Sequence, residues 1–214
     1  MKDNFDAYGE IKSRILSRTY LPGEKLSEAR VAADLEVGRS PIRTALQRLE
    51  MEGWVIVRPQ SGTVVSELGP EDVHEICELR GLLESHVIRK AAMTLSNEEI
   101  AELRHAHFRL TSSNLIHDTD AREDFNRKVF DAIYRCGDND RILQVLKNLH
   151  DQVLWIRRIN ATDRERVRES IKELGNMIAA LEARDPDMAA KQALLHVRNI
   201  AAAFEKLYRR KNGV

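Results

Sequence analysis

Turn-forming residues are crowded into one end of this chain: six of the ten glycines and four of the five prolines lie at or before Pro70. Glycine and proline interrupt regular structure. A chain of 214 residues punctuated this way divides into a short unit that turns often and a long stretch free to stay helical. That length exceeds the needs of one typical helical domain and is little for three, so two compact units are expected.

Within the first third, a helix is expected over about residues 5 to 18, followed by a turn at Leu21-Pro22-Gly23-Glu24. A second helix, capped by Ser27, runs to Leu35 and ends in the turn Glu36-Val37-Gly38. Ser40 reads as the N-cap of a third helix with Pro41 at its first position, and Gly53 closes that helix. The pattern then changes to Trp54-Val55-Ile56-Val57-Arg58, a turn Pro59-Gln60-Ser61-Gly62, and Thr63-Val64-Val65-Ser66. Two β-branched runs around a glycine-containing turn predict a hairpin.

Past a linker near Glu67 to Pro70, five cap or turn signals cut the remainder into six helices. They are Leu95-Ser96 with Glu99 as a capping box, Asp118 to Asp120 with Glu123, Cys136 to Asp138, Ala161 to Asp163, and Asp185 before Pro186. Ile142, Leu146, Leu149, Val153 and Ile156 recur at steps of three and four, as do Val167, Ile171, Leu174, Ile178 and Leu181. Each set therefore lies on one helix face.

Charged residues make up 32% of the chain and aromatics 5%, which favours a soluble helical protein over a β-rich or membrane-embedded one. No apolar run approaches about 18 residues, so no membrane partner is expected. The N-terminal MKDNFDAYGE lacks the basic segment and apolar core of a secretory signal, and Cys77 and Cys136 form no spacing motif, so a reducing cytoplasm fits. The formal net charge is zero, and residues 1 to 67 hold ten Lys and Arg against ten Asp and Glu. Any binding to nucleic acid must therefore come from a local patch, because phosphate contacts depend on where the cations sit.

The third helix offers such a patch. Ile42, Ala45, Leu46 and Leu49 form its buried stripe, which leaves Arg39, Ser40, Arg43, Thr44 and Gln47 exposed near its N-terminal end, the end a recognition helix presents to base edges. An arginine fork can bond the O6 and N7 of guanine together, while hydroxyls, backbone N–H groups and the helix dipole can hold phosphate. Arg48 and Arg58 would add backbone contacts. Two arginines four apart also fit a merely solvated face; the surrounding turn, cap and hairpin argue against that reading.

The segment LPGEKLSEARVAADLEVGRSPIRTALQRLEMEGWVIVRPQSGTVV resembles the N-terminal domain of GntR-family transcription regulators. The shared features are the leucine-proline-glycine turn, the run Val37-Gly38-Arg39-Ser40-Pro41-Ile42-Arg43, the Gln47-Arg48-Leu49 run and the wing glycine. The resemblance implies a winged helix-turn-helix in which Arg39 and Arg43 make base and phosphate contacts, Ser40 supplies the cap hydroxyl and Gly62 enters the minor groove at the wing tip. Ala29 and Gly38 stand where many members have Arg and Ser or Thr, so contacts can be lost and the operator can differ.

Residues 72 to 208 resemble the FCD effector domain of the FadR subgroup, through Glu78-Leu79-Arg80 with Leu83-Glu84, Phe125-Asn126, Ala183-Arg184-Asp185 and His196. Six helices match the smaller VanR-type version. Many such domains hold a divalent metal through an Asp and a His four apart and two later His residues. The aligned positions here are Arg122, Asn126, Leu174 and His196, so three of the four are replaced and no metal or other cofactor is expected. An anion site is the alternative. Arg122 and Asn126 continue the inward stripe of Val129 and Ile133, Arg80 lies between Ile76 and Leu83, and with His196 they would grip a carboxylate-bearing effector. A salt pair from Arg80 to Glu84, four residues on, competes with that role. Arg157, beside Trp155, is a weaker candidate for that pocket and reads first as a surface or interface side chain, and His105 and His107 point to different helix faces.

The expected fold is thus mainly α, with a winged helix-turn-helix bearing a small β-hairpin over residues 1–67, a linker at 68–71, and an all-helical effector-binding and dimerisation unit over 72–214. The expected function is a homodimeric, cytoplasmic DNA-binding transcription regulator, a repressor of a palindromic operator, whose affinity a small metabolite modulates. A constitutive DNA-binding dimer with a dead sensor is the alternative. A metal-dependent hydrolase is a remote one: no His-Glu-x-x-His, phosphate loop or nucleophile with its base is present, so no enzyme is expected.

Overall fold

The computed structural model describes residues 5–58, 62–113 and 115–213, and the chain divides into two compact units, Met1–Leu68 and Gly69–Val214. In the first unit, α1 (Ala7–Leu16), α2 (Glu28–Asp34) and α3 (Arg39–Met51) precede a two-stranded antiparallel hairpin, β1 (Val55–Arg58) and β2 (Gly62–Val65). Each helix buries one stripe: Ile11 and Ile15 from α1, Val31 from α2, and Ile42, Leu46 and Leu49 from α3, joined by Leu26 and Trp54. A fully buried Leu or Ile stabilises by roughly 1.5–3 kcal/mol, so these side chains dominate so small a core.

Local chemistry sets the element ends. The Asp6 carboxylate accepts from the Gly9 N–H, and Ser27 Oγ from the Arg30 N–H, each satisfying a donor that the helix start leaves open. Gly23, at φ +78°, sits where the tight turn needs a left-handed residue; the turn lets Gly23 N–H and Leu26 N–H donate to Val65 and Thr63 carbonyls at 2.9 Å, tying the α1–α2 loop to β2. After α3, Gly53 (φ +77°) donates to the Glu50 carbonyl and Trp54 to that of Leu49, the paired bonds of a Schellman ending. Expected turn residues Pro59, Gln60 and Ser61 lie outside the described residues.

One expected cap shifts. Gly38 is the N-cap of α3 and Ser40 lies inside its first turn, capping nothing. Proline does not mark the first helical residue uniquely, since every N–H of the first turn lacks an intrahelical acceptor; Pro41 fits two positions further in just as well.

The second unit consists of α4 (Pro70–Thr94), α5 (Asn97–Ser112), a single 3-10 turn (Leu115–His117), α6 (Thr119–Arg135), α7 (Asp140–Asn160), α8 (Arg164–Glu182) and α9 (Pro186–Asn212). Pro70 and Glu71, expected in the linker, form the first turn of α4, where the missing proline N–H costs nothing. Ser96 and Glu99 form a reciprocal capping box, and Asp118, Asn139, Asp163 and Asp185 cap the next four helices. The longest contact runs between α4 and α9. Gly81 leaves room there for the Leu194 side chain, whose Cδ1 would stand 2.9 Å from a Cβ at that position. Ile88, Val129, Ile133, Leu146, Ile171, Leu174 and Leu181 anchor one continuous core drawn from every helix of the bundle.

Candidate DNA interface and interior cavity

The four buried side chains of α3 turn Arg39, Ser40, Arg43, Thr44 and Gln47 together to solvent. Arg43 is already engaged: its Nε and Nη2 donate to the two carboxylate oxygens of Glu28, in the first turn of α2, both at 2.8 Å. Hydrogen bonding from Arg43 holds the Glu28 carboxyl below the usual range. The guanidinium remains 63% exposed, so the fork is fixed in direction yet reachable from outside. Arg39 stands near enough to act on Glu28 through its charge.

Arg48, expected at the DNA backbone, is drawn toward α1. It lies over the Tyr8 ring at 3.7 Å and bonds Glu52 at 3.1 Å. Tyr8 donates to the same carboxylate at 2.5 Å, so Arg48 braces α1 against α3. Arg58 and Gly62 are cross-strand partners at the far end of the hairpin, Gly62 at φ +77°. Both are exposed, as are Ile56 and Val57.

In the helical unit the four expected effector residues do not share one space. Arg80 is buried in a hydrogen-bonded pair with Glu84, at 2.9 and 3.0 Å, and Tyr134 donates to the same carboxylate at 2.6 Å. His196 is fully buried, its Nδ1 2.7 Å from Glu173 Oε2 and its Nε2 without a partner. Burial pulls the imidazole pKa down. Glu173 also receives a two-armed Arg166 fork at 2.7 and 2.6 Å; burial opposes its charge, but the bonds from Arg166 and His196 prevail and hold the carboxyl at about 2.

Arg122 and Asn126 instead line a half-open cavity of about 60 Å³ with Arg157 and Asn160 of α7 and Arg166 and Ser170 of α8. Each helix contributes a pair at three- or four-residue spacing, which places both members on one face. Arg122 donates to the Ile116 carbonyl at 2.9 Å and to Thr119 Oγ1 at 3.0 Å, and Asn126 to the Arg122 carbonyl at 2.8 Å. Asn160 donates to the Ile200 carbonyl at 2.9 Å and leaves its buried Oδ1 without a donor.

Arg157, expected at the surface or an interface before the pocket, turns inward. It is half-buried, opens onto this cavity and onto a second hollow of about 610 Å³, and lies 5.0 Å from the Phe130 ring centre. Burial, and then the charge of Arg80, lower its pKa to about 10. A sequence signal existed: Arg157 follows Val153 by four and Asn160 follows Ile156 by four, so both extend the buried stripe of α7.

These residues do not suit a divalent ion. At the aligned positions, Arg122 presents a cation, Asn126 turns its amide to a backbone carbonyl, Leu174 is buried hydrocarbon, and only His196 is an imidazole. A zinc-type site needs three or four anionic or neutral nitrogen, sulfur or oxygen donors around one point.

A winged helix-turn-helix followed along the chain by an all-helical bundle is the plan of a two-unit DNA-binding transcription regulator. The family comparisons make this specific: the bacterial regulatory protein gntR family matches residues 5–65 and the FCD domain matches residues 75–199. The chain belongs to the GntR-family regulators that carry an FCD domain, a group of transcription regulators and not of enzymes. It is 25% identical over 191 residues to the HTH-type transcriptional regulator YdhC of Bacillus subtilis, covering 88% of this chain and 85% of that protein. It is 26% identical over 217 residues to the HTH-type transcriptional repressor RspR of Escherichia coli, covering 95% and 90%. The structure of E. coli McbR/YncC shares the fold, with a TM-score of 0.70 at 23% identity over 94% of this chain and 96% of that one. Among the described residues no helix is long and apolar enough to cross a membrane.

Proposed function

We propose that the chain acts in the cytoplasm as a homodimeric repressor of a short palindromic operator, released when a small anionic metabolite occupies the helical unit, with no metal taking part. The exposed α3 face, with Arg39 and Arg43 four residues apart, carries the proposal. Ser40, Thr44 and Gln47 surround that pair, and Arg58 and Gly62 form the wing beside it. A palindromic operator requires a two-fold protein, because each recognition helix reads one half-site. The chain passes between its two units at Leu68–Gly69, and an effector acts only if it favours one arrangement of the dimer over another.

Arg43→Ala and Arg39→Ala are the direct test, with operator affinity measured at two salt concentrations. A base-reading arginine costs roughly ten- to a hundredfold in operator affinity and relaxes specificity, whereas a phosphate contact weakens all sequences alike and lowers the salt slope by about one. Operator binding unchanged in both variants would refute the assignment.

The replaced ligand positions favour a second reading, a constitutive DNA-binding dimer whose sensor is lost. A screen of small metabolites by thermal shift separates the two: an effector at a hundredfold excess over its Kd stabilises by about 2.7 kcal/mol, and a dead cavity responds to nothing.

A further inference from the structure

The wing is wider than its hairpin. Residues 23–26, in the loop between α1 and α2, run antiparallel to β2: Leu26 N–H donates to the Thr63 carbonyl and Val65 N–H to that of Glu24, both at 2.9 Å, so that Lys25 stands opposite Val64. In a pair framed by flanking hydrogen bonds and not joined by its own, the two side chains lie close together on one face of the sheet. Ile56 pairs with Val64 from the other side, and Arg58 with Gly62. Alternation then puts Lys25, Ile56, Arg58 and the bare Gly62 on the same face. The opposite face, with Leu26, Val55 and Val65, is turned to the core.

Lys25 leans along this face toward the wing tip: its Cε lies 3.6 Å from where a Gly62 Cβ would stand. Lys25 and Arg58 thus flank Gly62 from the two outer strands, which two strand spacings set about 10 Å apart. Both are exposed, and among the described residues no carboxylate bonds either. The nearby acids are engaged elsewhere. Glu24 accepts from Arg30 Nη2 at 2.5 Å and from the Leu21 N–H at 2.7 Å, Glu28 accepts from Arg43, and the Glu67 carboxylate stands against Gly23. Glu28 also fixes where Lys25 lies. It bonds the reading face of α3 three residues further along, so the Lys25 backbone pairs with the wing within about 10 Å of the Glu28 backbone.

We propose that Lys25 contacts DNA, and that Lys25 and Arg58 form a clamp astride Gly62 that holds one phosphate row on each side of a minor groove. Long side chains rising from strands about 10 Å apart reach both rows bordering a groove about 6 Å wide. The missing side chain at Gly62 leaves room for the groove edge between them. Neither cation reads a base. Each releases counterions on meeting a phosphate, and the clamp fixes the wing in place while α3 reads sequence. The proposal rests on the reading of Gly62 as the wing tip and adds the loop before α2 to the DNA-binding surface.

The test uses the full chain and two probes, a short duplex of mixed sequence and the tightest duplex recovered by selection from a random pool. Lys25→Met keeps an aliphatic stem beside Val64 and removes the charge. Its plot of log affinity against log salt concentration is expected to be shallower by about one on both probes, the worth of one phosphate contact, and that of Arg58→Met likewise. The double variant should lose about two, and Lys25→Arg nothing. A general loss of stability lowers the active fraction without changing this slope. Phosphate-ethylation interference on the selected duplex assigns the sides: in each half-site, Lys25→Met should abolish the signal at phosphates on one border of the minor groove, and Arg58→Met at those on the opposite strand.

An unchanged slope in Lys25→Met, a loss confined to the selected duplex, or the same phosphates lost in both variants would each overturn the clamp. Arg39→Ala and Arg43→Ala are titrated beside them. If these leave the preference for the selected duplex intact while Lys25→Met lowers the slope on both probes, the recognition-face assignment fails and the clamp stands. If they erase that preference and Lys25→Met changes nothing, the clamp fails and the recognition face stands.

Discussion

Glu84→Gln tests whether Arg80 is a structural residue. Arg80 and Glu84 are each 2% exposed, and two guanidinium N–H groups and the Tyr134 hydroxyl all converge on Glu84 Oε1. The substitution removes the negative charge while keeping the volume. Arg80 then stays buried with its Nη1 already lacking a partner, and Arg157 loses the attraction of the same carboxylate. Breaking a buried pair on one side costs about 3–5 kcal/mol, because an uncompensated charge remains. In a unit the size of Gly69–Val214 each kcal/mol lowers the melting temperature by roughly 2–4 °C, so a fall of about 6–20 °C is expected. Replacing both partners, Arg80→Met with Glu84→Gln, removes the stranded cation and should recover most of the loss. Calorimetry with the wild type, the single variant and the double variant decides the matter. A single variant within about 1 kcal/mol of the wild type, or a double variant no better than the single, would refute the electrostatic account.

Three further outcomes are expected. Glu28→Gln removes a negative charge beside the recognition face and frees the Arg43 fork, so affinity for non-operator DNA should rise at low salt and operator discrimination fall; filter binding to both duplexes measures this, and unchanged discrimination would mean that the Glu28–Arg43 pair has no part in orienting the fork. Glu173 has a folded pKa of about 2, below its ordinary 4.5, so its stabilisation is full above about pH 4.5 and is lost as the pH falls toward 2. Urea unfolding of the wild type and Glu173→Gln should therefore diverge at pH 7 and converge on acidification; a constant gap would contradict this. Gly53→Ala places a Cβ at φ +77° in the ending of α3 and should destabilise by about 1 kcal/mol or more, read as a lower urea midpoint of the first unit.

The helices of this protein were legible because their signals are local. A cap such as Ser96 with Glu99, or a stripe such as Val167 to Leu181, depends on residues three or four positions apart, and the backbone alone brings them together. The same holds for the exposed face of α3, which follows from the position of its buried stripe. The one misplaced cap, Ser40, failed where local chemistry is degenerate: Pro41 fits several first-turn positions equally.

Partners distant in sequence were another matter. Arg43 meets Glu28 across 15 residues, and the cavity gathers Arg122, Arg157 and Arg166 from three helices. Periodicity shows that Arg157 and Asn160 turn inward, yet which carboxylates lie within bonding reach depends on how the helices are rotated and packed. Sequence by itself determined the regulator's two-unit plan and the exposed face of its third helix, since both follow from short-range pattern. Tertiary structure alone decided that Arg80 is paired with Glu84 while Arg157 is left without a bonded carboxylate, because charge compensation in a protein interior is settled by distances of about 3 Å that no spacing along the chain specifies.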